Sequence, residues 1–351
     1  MTVNSGWYAS ELRRELGLRS RLWSERRAHV QSYGNPPVIV FSPENGAHGN
    51  FFGPAYTAIL ARPEWMRRFD KIHTGQKTLP KAEAEDGQAR RWRELDSSMS
   101  SDALLMNIFC TPGVAEAPEV RRVLGIDEDE APVFGWKARV PLLNGRFDRT
   151  EVDLRLGSLL VEAKLTEGDF QTRAAAVVEG YRDFDVIFDR ERLPRVQLAT
   201  KRRREAAEFP EEYSQEFEED SPQGVSSFIA ERAEISARLL ETAPWLAAAS
   251  SGATEAGYAS YQLIRNALAA HAQGCSFCVL HDERRPDLRE AWFAVMAAVN
   301  SAAMRVRLKV LTWQELAATL PEELQVFLDL KYGIVAPGKV PSPAGETEAM
   351  E

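Results

Sequence analysis

Three side chains within EVDLRLGSLLVEAKL, residues 151–165, have types and spacing that suit chemistry: Asp153, Glu162 and Lys164. Two carboxylates held close together are typical ligands of a hard divalent cation such as Mg²⁺, which prefers oxygen ligands and retains bound water. An amine two residues from one of the acids adds a positive charge at the same place. The spacing therefore indicates a small metal site with a cation beside it.

A β-hairpin is the element that positions these residues. Apolar and polar residues alternate on both sides of Gly157-Ser158, and glycine at the first central position favours a two-residue type II′ turn. In that register Asp153 lies opposite Glu162, and Lys164 follows on the same face. The other face then holds Val152, Leu154, Val161 and Ala163.

The predicted pairing of two acids is costly without a cation. Directly opposite residues have Cβ atoms about 5 Å apart. At an effective dielectric constant near 20, two unit charges at that separation repel by roughly 3 kcal/mol. A divalent ion between Asp153 and Glu162 would remove this penalty, whereas Lys164 supplies only one charge.

The spacing D-x8-E-x-K resembles the signature of the PD-(D/E)XK nuclease superfamily, whose members have the restriction-endonuclease-like fold. That family usually has proline before the first acid, where this chain has Val152. The segments HGNFFGPAYTAILARPEW and SSDALLMNIF, together with the rest of the chain, also resemble a bacterial restriction-endonuclease-like subfamily of poorly defined role.

The resemblance implies a Mg²⁺-dependent nuclease that hydrolyses phosphodiester bonds, with Mn²⁺ able to substitute. Asp153, Glu162 and the carbonyl of Ala163 would hold the metal, and Lys164 would orient or help deprotonate a water molecule and stabilise the transition state. The implied partner is nucleic acid, with DNA favoured, and related nucleases that cut both strands as dimers make a homodimer a reasonable expectation.

A second group of polar residues comes from YQLIRNALAAHA. Tyr258, Gln262, Arg265 and Asn266 are spaced to form one stripe on a helix. Members of the superfamily often carry Gln or Arg there, so Gln262 is the first choice for a further catalytic residue and Arg265 the second. Arg149 and Arg265 are candidates for nucleic-acid contacts, and Asp102 is a candidate for another acid. An exposed stripe without a function is the alternative.

The order of predicted elements indicates an α/β fold with a mixed central sheet flanked by helices. We expect a mostly helical N-terminal extension (1–95), a nuclease-like core (96–200 and 251–333), an acidic linker and helical insertion (201–250) and a disordered tail (334–351). Within the core we predict helices at 97–110, in the first two-thirds of 169–189, and at 260–272, 286–300 and 313–333. Strands are predicted at 133–143, 276–282 and 305–313. Ser98 or Ser100 would cap the first of these helices.

Charge and composition limit the classes of protein that fit. The 351 residues carry a net charge of −9, which disfavours a nucleic-acid partner. However, residues 205–221 hold eight acidic residues and no basic one, so the rest of the chain is close to neutral. Three cysteines do not form a disulfide framework, so we expect a cytoplasmic protein. No apolar run is long enough to cross a membrane.

Three alternatives remain open. His271, Cys275, Cys278 and His281 have residue types that bind zinc, but four ligands within eleven residues leave little chain to surround a tetrahedral ion, and buried apolar cysteines are favoured instead. The chain could also be a catalytically silent nuclease fold that binds nucleic acid or assembles with partners. It could also be an unrelated metal-binding α/β protein in which the motif match is fortuitous.

Overall fold

The central element of the fold is a mixed five-stranded sheet. In the computed structural model, which describes residues 5–73, 76–83, 89–127, 130–199 and 254–342, its strands lie in the order β5-β4-β3-β2-β1. β1, β2 and β3 are antiparallel neighbours, while β3, β4 and β5 run parallel. The strands are β1 (Val133–Pro141), β2 (Phe147–Leu156), β3 (Leu159–Ala163), β4 (Ser276–His281) and β5 (Leu308–Thr312).

Helices cover both faces of this sheet. The longer ones are α1 (Ser5–Ser24), α2 (Gly53–Leu60), α3 (Ser101–Phe109), α4 (Pro118–Leu124), α5 (Tyr261–Gln273), α6 (Pro286–Ala297), α7 (Trp313–Ala317) and α8 (Glu322–Tyr332). The predicted α/β architecture, a mixed sheet flanked by helices, is confirmed.

Two hydrophobic cores lie on opposite faces of the sheet. The first core contains Leu154, Val161 and Leu280 together with residues of α1, α2, α3, α4, α7 and α8. The second contains Leu160 and Val279 together with residues of α5 and α6. Alternate residues of β3 and β4 thus enter different cores, which explains why both strands are apolar along nearly their whole length.

Shorter elements connect these parts. Short strands are His29–Gln31, Ile39–Phe41, Pro43–Glu44, Ala47–His48, Ala82–Glu83, Ala89–Arg90 and Arg173–Ala174. Short α-helical turns are Pro63–Met66, Ala175–Val178, Phe184–Ile187 and Ala302–Arg305, and 3₁₀ turns are Arg67–Asp70, Gln76–Thr78 and Glu94–Asp96.

Local chemistry sets several boundaries. Ser100 caps α3, because its side chain accepts a hydrogen bond from the Ala103 N–H, as predicted. The helix predicted in the first two-thirds of 169–189 is only a single turn, Ala175–Val178, and a second short turn, Phe184–Ile187, follows it. The predicted helix at 313–333 is two helices, because Pro321, the N-cap of α8, has no N–H to donate and its ring clashes with the preceding turn of a continuous helix.

The chain divides into two units. One consists of 1–194 and 258–351, and the other of 195–257. In the second unit the described residues form strands Arg195–Ala199 and Thr254–Tyr258, the latter ending at the boundary. The insertion predicted at 201–250 lies outside the described residues. Among the helices that the structure describes, none has the length and apolar character needed to cross a membrane.

Candidate active site

Next to its turn the hairpin that carries the motif folds in the predicted register, but the paired residues end at Leu154 and Val161, so the predicted pairing of Asp153 with Glu162 does not form. Opposite residues are Leu154 and Val161, Arg155 and Leu160, and Leu156 and Leu159. Gly157 has a φ of 56°, the positive value that a type II′ turn needs at its first central position. The turn predicted at Gly157 and Ser158 is therefore confirmed.

Asp153 meets the neighbouring strand through its side chain. The backbone N–H of Ala163 donates a hydrogen bond to Oδ2 of Asp153 at 2.8 Å. Ala163 is the residue between Glu162 and Lys164, so the carboxylate of Asp153 lies against the backbone that carries the other two. The three motif residues are therefore brought together at one place on the sheet.

Glu162 and Lys164 form a buried ion pair. Their exposed fractions are 2% and 6%, and Nζ of Lys164 lies 2.8 Å from Oε1 of Glu162. The other carboxylate oxygen, Oε2, accepts a hydrogen bond of 2.6 Å from Nδ2 of Asn266 on α5. Asn266 is fully buried. Because each oxygen of Glu162 has its own donor, the orientation of the carboxylate is fixed.

Asp153 has no cation of its own. Within the described part of the chain it forms no ion pair, and its hydrogen bond is the one from Ala163. Burial, followed by the negative charges of Glu162 and Asp102, raises the pKa of Asp153 well above its ordinary value, and the opposing effects of Lys164 and the Ala163 N–H do not cancel this. The site therefore holds an acid whose negative charge is poorly compensated.

Lys164 keeps its positive charge despite its burial. Burial by itself lowers the pKa of this amine, but the carboxylates of Glu162, Glu167 and Asp153 outweigh it, and the net effect raises the pKa above its ordinary value. Glu167 is held in place by the Leu165 N–H at 2.7 Å and by the Ser101 hydroxyl at 2.5 Å. Lys164 is therefore an ammonium group at neutral pH.

Asp102 lies nearby in the first turn of α3 and is paired. Its Oδ2 accepts hydrogen bonds from Nη2 of Arg68 at 2.7 Å and from Nζ of Lys71 at 3.2 Å. Burial raises the pKa of Asp102, but these two cations outweigh it and hold the pKa below its ordinary value. Nη1 of Arg68 also bonds Oε1 of Glu151 at 2.6 Å. The predicted additional acid thus lies close to Asp153 with its charge already compensated.

One predicted feature of the hairpin is wrong: Val152 and Leu154 do not share a face. Val152 packs in the second core, whereas Leu154 packs in the first. On the adjacent strand β1, the side chains of residues two apart also lie on different faces: Phe134 packs against the first core and Trp136 against the second. Gly135 lies between them with a left-handed φ of 60°, which interrupts the regular alternation of faces next to Asp153.

Gly135 also leaves room for Arg68. A Cβ atom at this position would lie 2.4 Å from Nη1 of Arg68, which two carboxylates hold in place. Only glycine combines this backbone conformation with this close approach. The missing side chain of Gly135 therefore allows the guanidinium to reach both Asp102 and Glu151.

Three of the four residues of the predicted stripe, Gln262, Arg265 and Asn266, lie on α5, and Tyr258 does not. The helix starts at Tyr261, so Tyr258 lies at the end of a strand, where its hydroxyl donates to Oε1 of Glu179 at 2.7 Å. Gln262 lies in the first turn, and its buried Oε1 has no hydrogen-bond partner among the described residues. Asn266, one turn further along, is the residue that contacts Glu162.

The two arginines predicted to contact nucleic acid differ in exposure. Arg149 is exposed on β2, opposite Arg139. Arg265 is partly buried, with its guanidinium over the ring of Tyr261 and Nη2 at 3.4 Å from the carbonyl of Glu151. Arg149 therefore shares β2 with Asp153, and Arg265 shares α5 with Asn266, which contacts Glu162.

The competing zinc constellation does not assemble. Cys275 and Cys278 are buried, and Nδ1 of His281 is hydrogen-bonded to the Asp282 carbonyl. Burial raises the pKa of Cys278 to about 12, as for a thiol packed in an apolar core. No group of three or more His, Cys, Asp or Glu side chains suited to a metal occurs among the described residues.

Sequence reasoning missed three residues of this site and named a fourth, Asn266, only as a member of the polar stripe. Asn266 stands in the predicted stripe, so the polar spacing did carry a signal. Arg68, Lys71 and Gly135 are far from the motif in sequence, and nothing in their local sequence distinguishes them.

The fold and the site together define an α/β protein with an Asp-Glu-Lys cluster on a central hairpin. The family model described as "Restriction Endonuclease associating with ARP" matches residues 26–333. The chain therefore belongs to this restriction-endonuclease family. No curated protein and no solved structure matches the chain.

Proposed function

We propose that the protein is a metal-dependent nuclease that hydrolyses phosphodiester bonds in DNA, with Asp153, Glu162 and Lys164 at its centre. The observation that carries this proposal is the contact between the Asp153 carboxylate and the peptide of Ala163, which joins three residues of known chemical use at one point. Membership in a restriction-endonuclease family supports the same reaction.

The donor set fits a divalent cation. Asp153, Glu162 and the carbonyl of Ala163 would hold Mg²⁺, and Mn²⁺ could substitute, because both ions accept carboxylate and carbonyl oxygens with water completing the shell. Asp153 is a partly buried acid without a counter-ion among the described residues, and this is the charge imbalance that a bound cation would relieve. When bound, the metal would lower the pKa of a water molecule and offset charge on the phosphate.

The remaining residues would position the attacking water and Glu162 and would stabilise negative charge on the phosphate. Lys164 holds its proton, so it is suited to orient the attacking water and to stabilise negative charge on the phosphate, and less suited to remove a proton. Asn266 would keep Glu162 in a fixed orientation through the hydrogen bond to Oε2. Gln262 remains a candidate for a contact with water or phosphate, because its buried Oε1 lacks a partner among the described residues.

DNA is the substrate that the family favours, and Arg149 and Arg265 are the proposed contacts to its backbone. A homodimer and a cytoplasmic location remain predictions.

The test is cleavage of supercoiled plasmid DNA with Mg²⁺ or Mn²⁺. We expect Glu162→Gln and Lys164→Ala to lose activity by about 10²-fold or more, the scale of removing a preorganised charge from an active site. The matched controls are Glu290→Gln on α6 and Lys137→Ala on β1, which remove the same charges from exposed positions.

Equal cleavage by the wild type and by both site variants would overturn the assignment of the site. No cleavage of DNA or RNA, together with no binding of Mn²⁺ by the wild type, would favour the catalytically silent nucleic-acid-binding protein.

A further inference from the structure

The segment before the nuclease core supplies two cations to the site. Arg68 belongs to the turn Arg67–Asp70, and Lys71 follows it directly. Both donate hydrogen bonds to the same oxygen of Asp102, which lies at the start of α3. Two positive charges from the N-terminal part of the chain therefore border the acids.

These two cations are held very differently. Arg68 is 8% exposed and bridges Asp102 and Glu151 beneath Gly135. The side chain of Lys71 is 44% exposed, and Asp102 is its one hydrogen-bond partner among the described residues. Since Arg68 already pairs with Asp102, Lys71 can leave this carboxylate without leaving a buried acid unpaired.

Lys71 also lies within the field of the metal-site acid. Burial lowers its pKa, but Asp102, and to a smaller extent Asp153 and Glu151, outweigh burial and the repulsion from Arg68. A cation attracted by Asp153 opposes the binding of a second cation there. When a divalent ion neutralises the acids, the attraction that holds Lys71 weakens.

We propose that Lys71 exchanges between the acid cluster and the substrate: it pairs with Asp102, beside Asp153, in the resting protein and contacts a DNA phosphate when the metal is bound. This inference rests on the proposed nuclease function. An exposed ammonium on a long flexible side chain suits such a contact, because it binds phosphate as a point charge in many geometries. The N-terminal segment would then be part of the active site.

The exchange predicts opposite effects of Lys71→Met on two equilibria. Mn²⁺ should bind more tightly, with a dissociation constant lower by roughly fivefold, because a competing positive charge is removed. The electron paramagnetic resonance signal of the free ion measures this constant. The affinity for a short DNA duplex in Ca²⁺ should fall by about tenfold, and the slope of its logarithm against log salt should decrease by about 1.

Two variants serve as controls. Arg67→Met removes an exposed cation from the same turn and should leave Mn²⁺ binding unchanged. Lys71→Arg keeps the charge and should restore DNA affinity to within about twofold, as expected when one phosphate contact is retained.

Three outcomes would count against the exchange. If Lys71→Met binds Mn²⁺ like the wild type or more weakly, or binds DNA like the wild type, this inference is wrong while the proposed function stands. If the wild type binds no Mn²⁺ and Asp153→Asn does not alter that result, both proposals are overturned.

Discussion

Two clusters of buried charge in this protein are built in opposite ways. The first follows β4, where Asp282 accepts hydrogen bonds from Nε and Nη2 of Arg284 at 2.8 and 2.6 Å and from Gln314 at 3.1 Å. Next to it, Arg285 is fully buried and forms two hydrogen bonds to Asp287 at 2.9 and 2.8 Å. Every charge in this cluster has an opposite charge in contact.

The second cluster is the candidate site, and its charges do not balance. Lys164 compensates Glu162, and Arg68 and Lys71 compensate Asp102 and Glu151, but Asp153 is left without a cation among the described residues. Removing an uncompensated acid from water costs free energy, so a cluster that serves only the fold has no reason to keep one.

The difference is the one expected if the balanced cluster serves the fold and the other cluster serves the proposed function. Arg285 also donates to the carbonyls of Leu165, Glu167 and Gly168, so the balanced cluster anchors the loop that directly follows Lys164. One cluster thus stabilises the fold around the other, whose remaining charge is available for a ligand.

Breaking the balanced cluster should have the largest effect on stability. Arg285→Met leaves Asp287 buried without a partner, together with three carbonyls, and should lower the free energy of unfolding by about 3–5 kcal/mol. Urea denaturation measures this. The matched control is Arg289→Met, an exposed arginine on the same helix, which should change stability by less than about 0.5 kcal/mol. A small loss for Arg285→Met would show that the cluster is not structural.

Gly135→Ala should have the next largest effect, because it strains the backbone and displaces Arg68. Gly145 is a suitable control, since its φ of 79° is also left-handed but no atom lies within 4 Å of the place that a Cβ atom would take. A left-handed residue costs about 1–2 kcal/mol, so Gly145→Ala should lose that amount and Gly135→Ala about 1 kcal/mol more. Equal losses in urea denaturation would mean that Arg68 does not depend on the space at Gly135.

Asp153→Asn should stabilise the protein in the absence of metal, the opposite of the first two effects. Removal of the uncompensated charge should raise the free energy of unfolding by on the order of 1 kcal/mol. Added Mn²⁺ should raise the melting temperature of the wild type and leave that of Asp153→Asn unchanged, because a ligand stabilises only the state that binds it. Destabilisation of the metal-free variant would contradict a charge imbalance at this site.

The smallest expected effect is the pH dependence of the difference in unfolding free energy between the wild type and Asp153→Asn. The folded-state pKa of Asp153 lies above its ordinary value of 3.8, so the folded state binds more protons than the unfolded state between these two values. The free energy of unfolding of the metal-free wild type, taken relative to that of Asp153→Asn, should therefore not change with pH below about pH 4. It should decrease as the pH rises from there toward the folded-state pKa. Urea denaturation of both proteins across about pH 4–8 tests the sign, and an increasing relative stability of the wild type would contradict it.

The sequence predicted the local features of the site well. The register of the hairpin, its turn at Gly157 and the cap at Ser100 depend on neighbouring residues, and alternation and turn chemistry determine them. The proximity of Asp153 to the other motif residues follows from the same register.

Features that depend on distant contacts could not be predicted. The helix that carries Gln262 and Asn266 starts within one residue of its predicted start, but which of these two residues, one turn apart, meets Glu162 depends on how the helix packs on the sheet, and spacing does not determine that. Val152 changes face because Gly135 interrupts the neighbouring strand. Lys71 reaches Asp102 only through tertiary packing of the N-terminal segment.

Gly135 has a consequence for how such sites are found in other chains. It supplies no functional group, yet the path of Arg68 to Asp102 and Glu151 passes through the space where its side chain would be. A search pattern for this arrangement would need five letters, with Arg and Gly ahead of the Asp-x8-Glu-x-Lys signature. A chain with the three motif residues and a larger residue in place of Gly135 would have to compensate its acids by another route.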